Sequence, residues 1–151
     1  MATIKKFEDL EIWQEPRRLS NEIKEIVLNS ELKNDFRLRD QIKGSSGSVM
    51  DNIAEGFVRD GNIEFRQFLS VAKGSAGESR SQLYRVLDYG DITGKKFEKL
   101  VNEYEQLSKR TANFIIYLNK QDFKGNKFRQ TPKRNQLETR NKRNLKLTQW
   151  N

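Results

Sequence analysis

The chain has 151 residues, of which 34% are apolar and 33% charged, so there is room for one ordinary domain whose modest core has to come mainly from amphipathic elements. It contains no Cys and no His, which excludes disulfides, thiolate zinc and iron–sulfur sites, Cys nucleophiles, Ser-His-Asp triads and imidazole metal ligands together. The net charge is +8 and unevenly placed: residues 1–120 hold 20 basic and 19 acidic side chains, whereas 121–151 hold nine basic and two acidic.

Apolar residues at Leu10, Trp13, Leu19, Ile23, Ile26 and Val27 recur at helical spacing and predict a first helix from about Leu10 to Leu28. Pro16 is its misfit, because it has no N–H to donate and its ring crowds the Ile12 carbonyl. The helix is expected either to begin near Trp13 or to kink at the proline. A second helix is predicted from about Phe36 to Phe57 on the stripe Leu38, Ile42, Val49, Ile53 and Phe57. The run Gly44 to Ser48 is rich in poor helix formers, yet the apolar register crosses it without a slip, so the helix is expected to continue.

The third helix follows the turn Arg59-Asp60-Gly61-Asn62, where Asp60 or Asn62 can serve as cap, and uses Phe65, Phe68, Leu69, Ala72, Ala76, Leu83, Val86 and Leu87 before stopping at Gly90. The fourth starts near Thr93 and runs through Phe97, Leu100, Val101, Tyr104, Leu107, Thr111, Phe114, Ile115 and Leu118. Four matched rods on short turns predict an all-α, antiparallel up-down-up-down four-helix bundle over 7–120, with a basic, flexible tail over 121–151. Folding helices 2 and 3 about Asp60 and Gly61 brings Ser46 level with Lys73 to Ala76. The small residues of both helices, Gly74 included, are then expected to meet and let the backbones approach.

The chemistry is sparse. Gly44 to Ser48 follows a helical pattern and lacks a Gly-Lys-Ser/Thr ending, so it is no phosphate loop. Acids such as Glu22, Glu25, Glu103 and Glu105 alternate with Lys and Arg and read as solvated helix surface. Asn52 and Glu55 flank the core stripe and are expected to be structural or interfacial. Arg66, Lys73 and Arg80 stand at heptad spacing on one face of helix 3, a candidate ridge for a phosphate backbone, with an ordinary solvated face as the competing reading. The more specific basic element is the tail, with Lys124, Lys127, Arg129, Lys133, Arg134, Arg140, Lys142, Arg143 and Lys146. Its polar, aperiodic composition suits an arm that binds RNA or DNA, or plain solubilising disorder. No segment is long and apolar enough for a bilayer, and the first residues lack a signal-peptide core, so a cytoplasmic location without membrane contact is expected.

The blocks Phe7 to Gln14, Gln41-Ile42, Asn52-Ile53-Ala54-Glu55-Gly56-Phe57, Glu64 to Leu69, and Ala72-Lys73-Gly74-Ser75 with Glu78 and Gln82-Leu83 resemble bacterial four-helix-bundle proteins encoded in intervening sequences of large-subunit ribosomal RNA. The accessory variability determinant of diversity-generating retroelements is of the same kind. The resemblance covers about residues 7 to 120. It implies an antiparallel bundle assembling into a ring-shaped homopentamer and, for the retroelement branch, binding to nucleic acid and a reverse transcriptase. It implies no catalysis and no cofactor. It also marks Trp13, Asn52, Glu55, Gly56, Gly74, Ser75 and Glu78 as structural or interface positions. Lys73 departs from it, standing where the family usually has Arg, as do Pro16 and the basic tail.

The reading from sequence is therefore a non-catalytic, oligomeric nucleic-acid-binding protein, with a reverse-transcriptase accessory subunit as its most specific form. The rival is a structural or protein-interaction module with no nucleic-acid role.

Overall fold

The computed structural model of the protein describes residues 4–129, with side chains over 4–121. Four α-helices account for nearly all of it: α1 (Glu11–Leu28), α2 (Phe36–Val58), α3 (Asn62–Asp88) and α4 (Gly94–Arg129), with no strand among the described residues. Each helix packs on the next in sequence and α1 also meets α4, which closes the predicted up-down-up-down bundle. Single 3-10 turns at Phe7–Asp9 and Glu31–Asn34 lead into α1 and α2.

The helix ends follow from local chemistry. Asp35 caps α2 by accepting from the Leu38 N–H at 3.2 Å, and Thr93 caps α4 by accepting from the Lys96 N–H at 3.1 Å, as its sequence position predicts. At the start of α3 the expectation is corrected: the cap position belongs to Gly61, whose φ of 112° is open to glycine, and Asn62 is already the first helical residue.

Helix α1 begins at Glu11, two residues before Trp13, which puts Pro16 in its second turn rather than its first. The helix runs through the proline, with Pro16 buried and the Ile12 carbonyl left without an i+4 N–H. The surrounding apolar face, with Ile12, Trp13, Leu19 and Ile23 buried, supplies the packing that holds the helix together across the lost bond. The Gly44 to Ser48 run is likewise continuous helix. The Ser46 hydroxyl donates back to the Lys43 carbonyl at 3.2 Å and the Ser45 hydroxyl bonds across to α3, so these side chains enter the core without orphaned polar atoms.

The core is one apolar cluster in which Phe65 meets Phe114 at a tilt, 5.5 Å between ring centroids, and Phe57 edge-to-face at 5.8 Å. Where α1 faces α4 the packing is thinner, and ion pairs bridge it. Arg18 reaches Glu103 at 2.7 Å and also pairs with Glu15 on its own helix, while Glu22 faces Arg18, Lys96 and Lys99 at 3.3, 3.7 and 3.9 Å. Glu22 and Glu103 are thus ties between helices rather than plain solvated surface.

Candidate interaction surfaces

Of the residues that carry the resemblance, Gly56, Asn52, Ser75 and Gln82 meet at the seam between α2 and α3. Gly56 is the closest approach: a Cβ built there would lie 2.6 Å from the Phe68 Cβ and 3.5 Å from the Phe65 Cα, so only glycine lets the two helices meet at this height. One turn earlier, the Asn52 side-chain amide donates to the Ser48 carbonyl at 2.8 Å and to the Ser48 hydroxyl at 2.9 Å, and the Ser75 hydroxyl reaches the same oxygen at 3.0 Å. Further along, the Ser45 hydroxyl contacts Ser79 at 2.8 Å and donates to Gln82 at 2.6 Å. A ladder of short polar side chains therefore fixes the register of α2 on α3. Glu55 and Glu78 lie outside it, both exposed, with Glu55 held by Arg59 at 2.8 Å.

The small-residue contact is realised by serines and alanine, not by the glycines. Ser45, Ser46, Ala76 and Ser79 are buried, whereas a Cβ added at Gly44, Gly47, Gly74 or Gly77 would meet nothing within 4 Å. Gly74 therefore makes no contact with α2, which corrects the expected meeting of glycines. Helical geometry explains the reversal: Gly74 stands two residues before the core position Ala76 and so faces nearly away from it. Trp13 is also interior, 9% exposed, edge-on to Phe7 at 5.1 Å with Arg17 over its ring.

The three heptad-spaced cations of α3 share the seam with α4. Arg66 donates to the Leu118 carbonyl at 3.5 Å, and Arg80 pairs with Glu105 at 2.9 Å. Lys73 alone is exposed beside a groove. The triad is in large part an interhelix tie. The other named cations begin at Lys124. Lys124, Lys127 and Arg129 fall on the last turns of α4, whose helix runs past Lys120 to Arg129, but their side chains lie outside the described residues. Lys133, Arg134, Arg140, Lys142, Arg143 and Lys146 lie outside them altogether.

A surface that periodicity missed lies between α3 and α4. A groove of about 560 Å³ is lined by Ser70, Lys73, Gly74, Ala112, Ile115 and Ile116, with Ile116 49% and Val71 53% exposed. The signal available in the sequence was the adjacent pair Ile115-Ile116, since two neighbours on a helix cannot both face one core. Among the described residues, no group of three or more Asp or Glu is placed to hold a metal, and no helix is long and apolar enough to cross a membrane.

Two buried phenols complete the titratable interior. Burial pushes the Tyr104 hydroxyl well above the ordinary tyrosine range, with the neighbouring Ser79 hydroxyl partly offsetting this, and burial also raises Tyr117. On the α1 surface the hydrogen bond from Arg18 holds the Glu15 carboxyl below its usual value.

The fold defines the chain as an antiparallel four-helix bundle whose α2/α3 seam is set by short polar side chains and Gly56, and the comparisons give its family. The family model for the 23S rRNA-intervening sequence protein matches residues 8–113, and the chain belongs to that family. A crystal structure of a protein of unknown function from the S23 ribosomal protein family of Bacteroides thetaiotaomicron VPI-5482 superposes with a TM-score of 0.63 at 20% identity, covering 69% of this chain and 97% of that one. That likeness is one of fold. No curated protein matches the sequence.

Proposed function

We propose that this protein is a non-catalytic, self-associating scaffold of the cytoplasm that binds nucleic acid through its cationic C-terminal segment. The observation that carries the reading is the segregation of charge: a body of 120 residues with 20 basic and 19 acidic side chains is followed by 31 residues with nine and two. Helix α4 continues through the first of those positions, to Arg129. Lys and Arg on such a segment neutralise phosphates and read no base edges, so affinity is electrostatic and sequence preference weak. Several copies in one particle, five by the family resemblance, multiply a weak arm into an avid one. The retroelement form of this reading adds a reverse transcriptase as partner, and co-purification of the two is its check.

A mobility shift with RNA and duplex DNA of unrelated sequence tests the binding claim. Wild-type protein retards both, and a full-length variant with Gln at all nine tail cations retards neither. Equal retardation by the two proteins contradicts the claim and favours the rival reading, a protein-interaction module, to which the groove between α3 and α4 lends specific support.

A further inference from the structure

Glycine is the poorest helix former after proline, yet α2 and α3 carry four interior glycines, Gly44, Gly47, Gly74 and Gly77, that relieve no contact inside the bundle. Their benefit has to lie outside the chain, where a missing side chain lets another backbone come close. The surroundings of the two pairs differ in a way that identifies the visitor.

Gly74 opens into the groove floored by Ala112, Ile115 and Ile116. This half of the α3/α4 face has no acid: none occurs between Glu64 and Glu78 on α3, nor from Gln106 to Gln121 on α4. Lys73, Lys109 and Lys120 are exposed and make no ion pair among the described residues. Gly44 and Gly47 sit on the outward face of α2, on one stripe with the exposed acids Asp40, Asp51 and Glu55, which outnumber Arg37 on the stripe and Lys43 at its edge. Asp51 makes no ion pair among the described residues, and the pairs of Asp40 with Arg39 and of Glu55 with Arg59 are surface pairs that exchange easily. Asp40 and Asp51 are eleven residues apart, as are Lys109 and Lys120. Eleven residues are three helical turns, so each pair stays on its own face with the same separation of about 16 Å.

We propose that the outward face of α2 in one copy docks into the α3/α4 groove of the next, glycine backbone against apolar floor and acids against lysines. The two surfaces are different patches of one chain, so the contact is heterologous and propagates head to tail into a ring or a filament. A two-fold pairing of groove with groove is disfavoured because it sets Lys73, Lys109 and Lys120 against their own copies. The aliphatic floor also offers no ring for base stacking, which favours protein over single-stranded nucleic acid as occupant. The inference rests on the self-association in the proposed function and names its interface.

The test is charge reversal read by size exclusion with light scattering on the full chain. Lys73→Glu with Lys109→Glu and Lys120→Glu reduces the particle to a single 17.8 kDa chain, and so does Asp40→Lys with Asp51→Lys and Glu55→Lys. One chain carrying all six substitutions, which keeps the wild-type net charge, reassembles. Gly74→Leu gives a second, uncharged variant: it fills the groove without touching the core, so helical content is kept while the particle dissociates. Assembly unchanged in both triple variants, or no recovery in the sixfold one, overturns this interface and leaves self-association standing. A wild-type monomer at micromolar concentration overturns both.

Discussion

Two glycines show how much a single position depends on what faces it. Gly56 lies against the Phe68 side chain, so Gly56→Ala forces α2 and α3 apart or Phe68 off its rotamer and is expected to cost about 1–3 kcal/mol. Gly44 faces open space, and Gly44→Ala should stabilise the isolated bundle by up to about 1 kcal/mol through helix propensity alone. Urea denaturation of both variants, at concentrations where the copies are dissociated, gives opposite shifts in midpoint; a loss at both positions there contradicts the assigned environments. Tyr104 is informative at the same scale. Its folded-state pKa lies above the unfolded value, so it contributes stability that is fully present below the ordinary tyrosine pKa and is lost as pH rises beyond it. Thermal stability is expected to fall above about pH 10, and Tyr104→Phe should lessen that fall. An identical alkaline decline in the variant assigns the effect to other groups.

At the scale of elements, the helices associate by different means on different sides. The α2/α3 seam is specified by polar pairs within a packed interface, and Ser45→Ala, which removes the oxygen shared by Ser79 and Gln82, should cost about 1–2 kcal/mol in the same denaturation assay. The α1/α4 side relies on the partly exposed Arg18 network, whose contribution is small and salt-sensitive. Glu15 has a depressed pKa there, so its share is present above the ordinary carboxylate range and lost as pH falls below it. Glu15→Gln should accordingly lose less stability on acidification than wild type in melts from pH 7 to pH 3.

The four helices were legible in the sequence because a 3.6-residue apolar period survives Pro16 and the Gly44 to Ser48 run alike. That period reports the buried stripe and little else. It assigned the small residues to the α2/α3 contact without separating Ser45 and Ser79, which face inward, from Gly44 and Gly77, one and two positions away and turned outward. It also gave Arg66 and Arg80 a shared face but not their acceptors, Leu118 and Glu105, which lie 52 and 25 residues along the chain and come within reach only once the bundle is closed.

In the molecule as a whole a near-neutral bundle is joined to a segment that holds most of the net charge, and the proposed function rests on that segment binding phosphates. Fluorescence anisotropy on labelled duplex DNA across 50–200 mM salt tests it most directly, comparing wild type with the nine-Gln variant. If about five tail cations engage phosphates, log K for wild type falls against log salt with a slope near −4.5, a loss of roughly 10²- to 10³-fold over that range. The variant binds weakly with a much shallower slope. Equal affinities and equal slopes in the two proteins would contradict the claim.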